Sequence, residues 1–178
     1  MVKKGDILPD RDFAINLLKT LKIQYSIILH SEKVADKALE IANNITKVNV
    51  DKKLIEIGSI LHDIGRTKTH GFDHALLGGK ILREKGFSEK LAKICETHIL
   101  GGLDKEDAKE FGLPEKEYLP ISIEEKIICL ADKLIAGTKE VSLEERFNRW
   151  FAKYGQTSIL LKSKSRIQRI LKEIESLM

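Results

Sequence analysis

The sequence predicts an all-α protein. Three observations carry this: apolar residues recur at three- and four-residue steps along most of the 178 residues, only three prolines interrupt them, and almost no stretch alternates apolar with polar. The first helix starts at Asp10, whose carboxylate can cap free N–H groups, and runs over 10–21. In "QYSIILHSEKVADKALEIANNI", Ile27, Val34, Ala38, Ile41 and Ile45 form one stripe. "DKKLIEIGSILHDIG" predicts an apolar helix stopped by Gly65, uncharged between Glu56 and Asp63 and so buried on most sides. "RTKTHGF" is a loop. A helix from Asp73 stops at Gly86, another runs from Ser88 to Gly101-Gly102, and a short one in "DKEDAKEFGLP" closes at Gly112-Leu113-Pro114. After the connector "YLPIS" comes a second apolar helix, "IEEKIICLADKLIAG". Two amphipathic helices within 142–177 end the chain. Their residues Phe147, Trp150, Phe151 and Tyr154 predict a stripe that packs back on the domain or meets a second copy in a homodimer. With no repeat or linker in view, 1–178 reads as one domain with a core over about 25–137.

Composition narrows the function. A chain that is 42% hydrophobic and 33% charged buries a sizeable core and keeps a polar surface. No apolar run approaches the ~20 residues of a membrane span. The start, "MVKKGDILPD", lacks the apolar core of a secretory signal, and Cys95 and Cys129 make no paired motif, so a reduced, cytoplasmic setting is expected. A formal charge of +4 spread over interspersed acids and bases suits a small phosphorylated ligand and argues against nucleic acid.

The titratable residues fall where apolar ones are expected. His30 flanks the Ile27, Val34 and Ile41 stripe. His62 and Asp63 lie opposite Leu54, Ile57, Ile60, Leu61 and Ile64. His74 aligns with Leu77, Gly78 and Ile81, and His98 lies amid Leu91, Ile94 and Cys95. Asp132 is the lone acid in "IICLADKLIA". Taken singly, each reads as a hydrogen-bonded core histidine or an ion-pair partner. Taken together they include two buried carboxylates, each costly without a partner, and a shared divalent cation satisfies all of them. Imidazole and carboxylate ligands suit Fe, Mn, Ni, Co or Zn. Cys95 and Cys129 precede His98 and Asp132 by three residues but read as core thiols, because separated cysteines lack the paired spacing of a structural zinc site. Glu125, two turns before Asp132, is either a supporting carboxylate or a surface acid.

These residues make the sequence resemble the HD superfamily of metal-dependent phosphohydrolases. The pattern is His30 in "SIILHSEKVADKALEIA", His62-Asp63 in "LHDIG" and Asp132 in "ICLADKL", with Gly65, Ala131 and Lys133 also matching. "DHALLGGKIL" and "ICETHI" are similar to further histidine segments of dinuclear members, among them HD-type diadenosine-tetraphosphate hydrolases and HD-GYP phosphodiesterases. The resemblance implies an HD-domain helical bundle. It implies one or two divalent ions, with Asp63 bridging a first held by His30, His62 and Asp132 and a second held by His74 and His98. Ile99 stands where HD-GYP proteins carry another histidine, and the Gly-Tyr-Pro motif is lacking, so a cyclic-di-GMP role is not implied. "HDIGRTKTHGFDHALLGG" and "GLPEKEYLPISIEEKIICLAD" are similar to small archaeal HDIG proteins.

The implied activity is hydrolysis of a nucleotide or other small phosphomonoester or phosphodiester by a metal-activated water, with His62 and Asp63 at the reaction centre. Arg66 and Lys133 are the nearest candidates to hold phosphate, followed by Lys68, though Arg66 and Lys68 read equally as solvated loop charges. His70 reads first as an ordinary loop residue and otherwise as a substrate contact or the donor of a proton to a leaving oxygen. The rival reading is a degenerate HD domain that binds metal or nucleotide without catalysis. Possession of His30, His62, Asp63 and Asp132 weighs against it.

Overall fold

The computed structural model describes residues 8–178; residues 1–7, counted above in the domain, lie outside it. Nine α-helices follow one another among the described residues: α1 (Arg11–Thr20), α2 (Tyr25–Asn44), α3 (Lys52–Leu61), α4 (His74–Glu84), α5 (Glu89–Thr97), α6 (Lys105–Glu110), α7 (Ile123–Leu134), α8 (Leu143–Tyr154) and α9 (Ser158–Ser176). The expected caps form. Asp10 accepts from the Phe13 N–H, Ser88 from Lys90 and Ser122 from Glu125, each satisfying a donor that the first helical turn leaves free.

The bundle is wound around α3. Its Leu54, Ile55, Ile57, Gly58, Ser59, Ile60 and Leu61 are all buried, because α1, α2, α5 and α7 pack against it from different sides. Each such isoleucine or leucine contributes about 1.5–3 kcal/mol through burial. The fourth helix lies along α5, and α9 covers the turn over Ile99–Gly101 that follows α5 and runs beside α7. One large apolar cluster joins α1–α5, α7, α8 and α9. A smaller one, including Leu103, Tyr118 and Leu160, sits under α6 and the start of α9.

Three local features differ from the sequence reading, and each bears on the site. Gly65 does not stop α3. That helix ends at Leu61, and Ile64–Thr67 form a separate 3-10 turn. Gly65 is needed there for a close approach: a Cβ on it would lie 1.8 Å from the His74 carbonyl oxygen and 2.7 Å from the Gly78 nitrogen. The fifth helix ends at Thr97, before Gly101-Gly102, and a 3-10 turn over Ile99–Gly101 follows. Finally, a small antiparallel hairpin, β1 (Ile135–Ala136) and β2 (Lys139–Glu140), follows α7. Two residues per strand leave no alternating pattern to read.

Candidate metal centre

Three of the histidines sit at helix ends, and this fixes their rings. His62 caps the C-terminus of α3, His98 caps that of α5, and His74 opens α4. Each Nδ1 bonds the carbonyl three residues earlier: Ser59 at 2.6 Å, Cys95 at 2.7 Å and Gly71 at 2.6 Å. At a helix C-terminus such carbonyls have no partner within the helix, so an imidazole N–H there satisfies one. His30, inside α2, reaches the same state differently. Its Nδ1 bonds the Gly137 carbonyl at 2.8 Å, in the turn between β1 and β2. Gly137 has φ +62, a left-handed conformation that glycine adopts at little cost.

A carbonyl oxygen only accepts, so all four Nδ1 atoms carry the proton and the neutral rings leave Nε2 bare. Those bare atoms converge. His74 Nε2 and His98 Nε2 are 3.3 Å apart. The Oδ1 of Asp63 lies 3.1 Å from His74 Nε2 and 3.5 Å from His98 Nε2, while its Oδ2 is 3.7 Å from His62 Nε2. Asp132 Oδ1 lies 2.9 Å from His30 Nε2 and 3.7 Å from His62 Nε2. Buried, His62 Nε2 and Asp63 Oδ1 have no hydrogen-bond partner among the described residues. Lone pairs face lone pairs, an arrangement that only protons or a cation stabilise. Three overlapping triads, His30–His62–Asp63, His62–His98–Asp132 and Asp63–His74–His98, each bring their ligand atoms within 4.8 Å of one another. The residues therefore fit a metal ion: all six donors are imidazole nitrogen or carboxylate oxygen, and the orphaned atoms are the ones a cation would take.

The same crowding shifts the titrations. Burial pushes His98 down to about 4, and the neighbouring His62 and His74 add to it. Burial also lowers His62, but the Asp63 and Asp132 carboxylates outweigh it and raise the net value. Burial alone would raise Asp63; the nearness of His62, and then of His74 and His98, which favour the charged carboxylate whenever the rings take up protons in place of a cation, overcomes it and holds Asp63 well below its usual range. Asp132 is likewise held low, burial being outweighed by Lys133, His30 and His62.

The remaining candidates are placed as follows. Arg66 donates its Nε to Asp63 Oδ2 at 2.8 Å and lines the cavity above the centre. His70 also lines that cavity, from its exposed rim. Lys68 is exposed and lies outside the cavity wall. Lys133 is buried, with its ammonium against Asp132 Oδ2 and 3.2 Å from the His98 carbonyl, so it orients two members of the centre. Both cysteines are buried and turned to backbone: Cys95 donates to the Leu61 carbonyl and Cys129 to that of His98. Burial drives both thiols upward, Cys129 to about 11. Glu125 is buried too, accepting from Thr97 Oγ1 and the Ile121 N–H.

Sequence reasoning missed two parts of the site. The Gly137 carbonyl is one, since a backbone atom in a turn carries no residue signal. The other is Arg146 of α8, which donates to the carbonyls of Asp132 (3.3 Å), Lys133 (2.9 Å) and Ile135 at the end of α7. Its position four residues before Trp150 was visible only as one charge on an amphipathic face.

Comparison with known proteins decides the family. The family model for the HD domain matches residues 27–137. The chain belongs to the HD domain family. An uncharacterised protein of Methanocaldococcus jannaschii is 45% identical over 145 residues, which cover 80% of this chain and 85% of that protein. A tRNA (cytidine(56)-2'-O)-methyltransferase of Picrophilus torridus is 35% identical over 170 residues, 96% of this HD chain but 48% of the enzyme. The enzyme of the same name from Thermoplasma volcanium is 39% identical over 143 residues, covering 80% and 41%. The chain thus spans less than half the length of either methyltransferase. Among solved structures, the HD domain of the L. monocytogenes phosphodiesterase PgpH superposes with a TM-score of 0.52 at 19% identity, covering 91% of this chain and 98% of that one. Its complex with cyclic-di-AMP gives 0.53 at 20%. These two likenesses are of fold. Among the described residues no helix is long and apolar enough to cross a membrane.

Proposed function

We propose that this HD protein is a metal-dependent phosphohydrolase acting on a small phosphoester. The observation that carries the reading is the set of bare Nε2 atoms converging on Asp63, whose two oxygens face different halves of the centre. His30, His62 and Asp132 would hold one transition-metal ion (Fe, Mn, Ni, Co or Zn), His74 and His98 a second, with Asp63 shared. A cation so held lowers the pKa of water toward neutrality and offsets charge on phosphoryl oxygens.

The chain's own groups complete the chemistry. Asp63 stays ionised, and its bond to Arg66 fixes that guanidinium at the cavity floor, where its free N–H groups meet phosphate oxygens. Lys133 keeps Asp132 anionic and oriented. His70 on the rim passes a proton to the leaving oxygen. Two unpaired buried thiols agree with a reducing cytoplasm as the place of reaction.

A second reading has one observation in its favour. Two relatives carry this domain within enzymes named for tRNA methylation, which suggests a phosphoester borne on RNA. The test covers both. Phosphate release is followed with nucleoside monophosphates, sugar phosphates and an RNA oligonucleotide with a terminal phosphate, and ring opening to the monophosphate is followed chromatographically with cyclic nucleotides, each with Mn, Fe, Co, Ni or Zn. Turnover that depends on one of these metals and falls at least a thousandfold in His62→Ala is expected. A metal-loaded chain that turns over none of them is a binding module, and the proposal fails.

A further inference from the structure

The candidate centre forms only the floor of its cavity. The cavity holds about 670 Å³, within the size of small-molecule sites. Above the floor its wall is aromatic. Of the chain's six Phe, three Tyr and one Trp, four line this one cavity: Phe72, Phe111, Trp150 and Tyr154. They come from three separate places, the loop before α4, the end of α6 and one face of α8. Phe72 and Phe111 stack with centroids 4.3 Å apart and planes 32° apart. Trp150 and Tyr154, four residues apart, lie one turn from each other on α8.

Two features argue that this wall has a ligand. First, Phe72 is 44% exposed and Tyr154 57% exposed, although both belong to a concave surface that continues to the buried centre. Second, the wall is tied to the floor. The Arg146 guanidinium lies 5.5 Å from the centroid of the Trp150 ring and donates to the Asp132 and Lys133 carbonyls, so α8 is held at a set position relative to Asp132. The half of the wall on α8, Trp150 and Tyr154, lies outside the segment 27–137 that the HD model matches, whereas Phe72 and Phe111 lie within it.

We infer that the wall formed by Phe72, Phe111, Trp150 and Tyr154 binds the nucleobase of the substrate, so that the phosphoester cleaved at the floor is that of a nucleotide. This deepens the phosphohydrolase reading and rests on it for the phosphate end alone. Aromatic faces bind planar rings by stacking, which tolerates any base. Thr157, the one aliphatic hydroxyl on the wall, accepts from the Leu160 N–H as the cap of α9. Among the described residues no Asn, Gln or Ser lines the cavity, and its Arg66, Lys133 and Arg146 are engaged with Asp63, Asp132 and backbone carbonyls. Recognition at the wall is therefore chiefly by ring area, and purines bind more tightly than pyrimidines.

The single tryptophan makes the test direct, because Trp150 is the only indole reporter in the chain. Its fluorescence is followed while the protein as purified is titrated with adenosine, uridine or ribose, none of which offers a phosphate to cleave. Adenosine is expected to quench saturably, uridine more weakly, and ribose not at all. Tyr154→Ala and Phe72→Ala, which remove exposed side chains and keep the reporter, are expected to weaken adenosine binding about tenfold each, the scale of one lost stacking contact. Emission unmoved by millimolar adenosine, or variants that bind it like the parent, would overturn the inference even if phosphoesters are hydrolysed. Adenosine binding in a chain that hydrolyses nothing would leave the base site standing and remove the hydrolase.

Discussion

On the cavity floor four imidazoles and two carboxylates are packed into the bundle, and every ring is fixed by a bond from Nδ1 to a backbone carbonyl. On its wall Phe72 and Tyr154 stand 44% and 57% exposed, and none of the four rings is pinned by a hydrogen bond except through its neighbours' stacking. Three of the four rings follow a local backbone rule: a histidine at a helix end bonds the carbonyl three residues earlier and turns Nε2 toward the centre, while His30 depends on the distant Gly137 carbonyl. The wall depends on where separate elements meet. Chemistry that needs ligands held within a fraction of an ångström is built on the first kind of structure. Affinity for a flat ring, which accepts many poses, needs only the second.

This contrast is open to attack, and the largest effect lies on the floor. His62→Ala removes a ligand shared by two of the triads, so metal-dependent turnover is expected to fall to background, measured as phosphate release. Next comes Gly65→Ala. Its Cβ meets the His74 carbonyl oxygen, which is backbone and cannot step aside. Overpacking of this kind costs about 1–3 kcal/mol, or roughly 2–12 °C in melting temperature for a chain of this size. The displaced His74 should also lose metal, a change visible by elemental analysis.

A pH titration sharpens the comparison within the floor itself. Metal binding requires a bare Nε2, so protons compete with it. Carboxylates raise His62, which lets protons win there at a higher pH, whereas burial lowers His98 to about 4, where protons win late. As pH falls from neutral, the ion at His30, His62 and Asp132 is expected to leave before the ion at His74 and His98. Metal content measured after dialysis at stepped pH checks the order; simultaneous loss would show that the two halves titrate as one. The smallest effect lies on the wall. Tyr154→Ala should change stability by no more than about 0.5 kcal/mol, as for other exposed positions, in a thermal melt of the same protein.

The sequence made the floor largely readable. His30, His62, Asp63, His74, His98 and Asp132 each broke an apolar helical pattern, and the structure brings all six together. The fold was readable for the same reason, since caps such as Asp10 and Ser88 carry their own chemistry. What was hidden depended on pairs of elements. Gly65 looked like a helix stop because a glycine needed for the approach of α4 looks the same in one dimension. Lys133, a phosphate candidate by sequence, lines the cavity, but its contacts with Asp132 and the His98 carbonyl depend on how α7 meets the end of α5 and carry no sequence signal. The aromatic stripe of α8 showed a face, but not the cavity that Trp150 and Tyr154 share with Asp63. Phe147, by contrast, is buried as expected.

A buried centre of four imidazoles and two carboxylates is expected to hold metal. Elemental analysis of chain purified without chelator, beside Asp63→Ala prepared in the same way, tests this most directly. About two transition-metal ions per chain, lost in the variant, is the predicted result. No ion in the parent chain, and none taken up after incubation with Mn, Fe, Co, Ni or Zn, would contradict it.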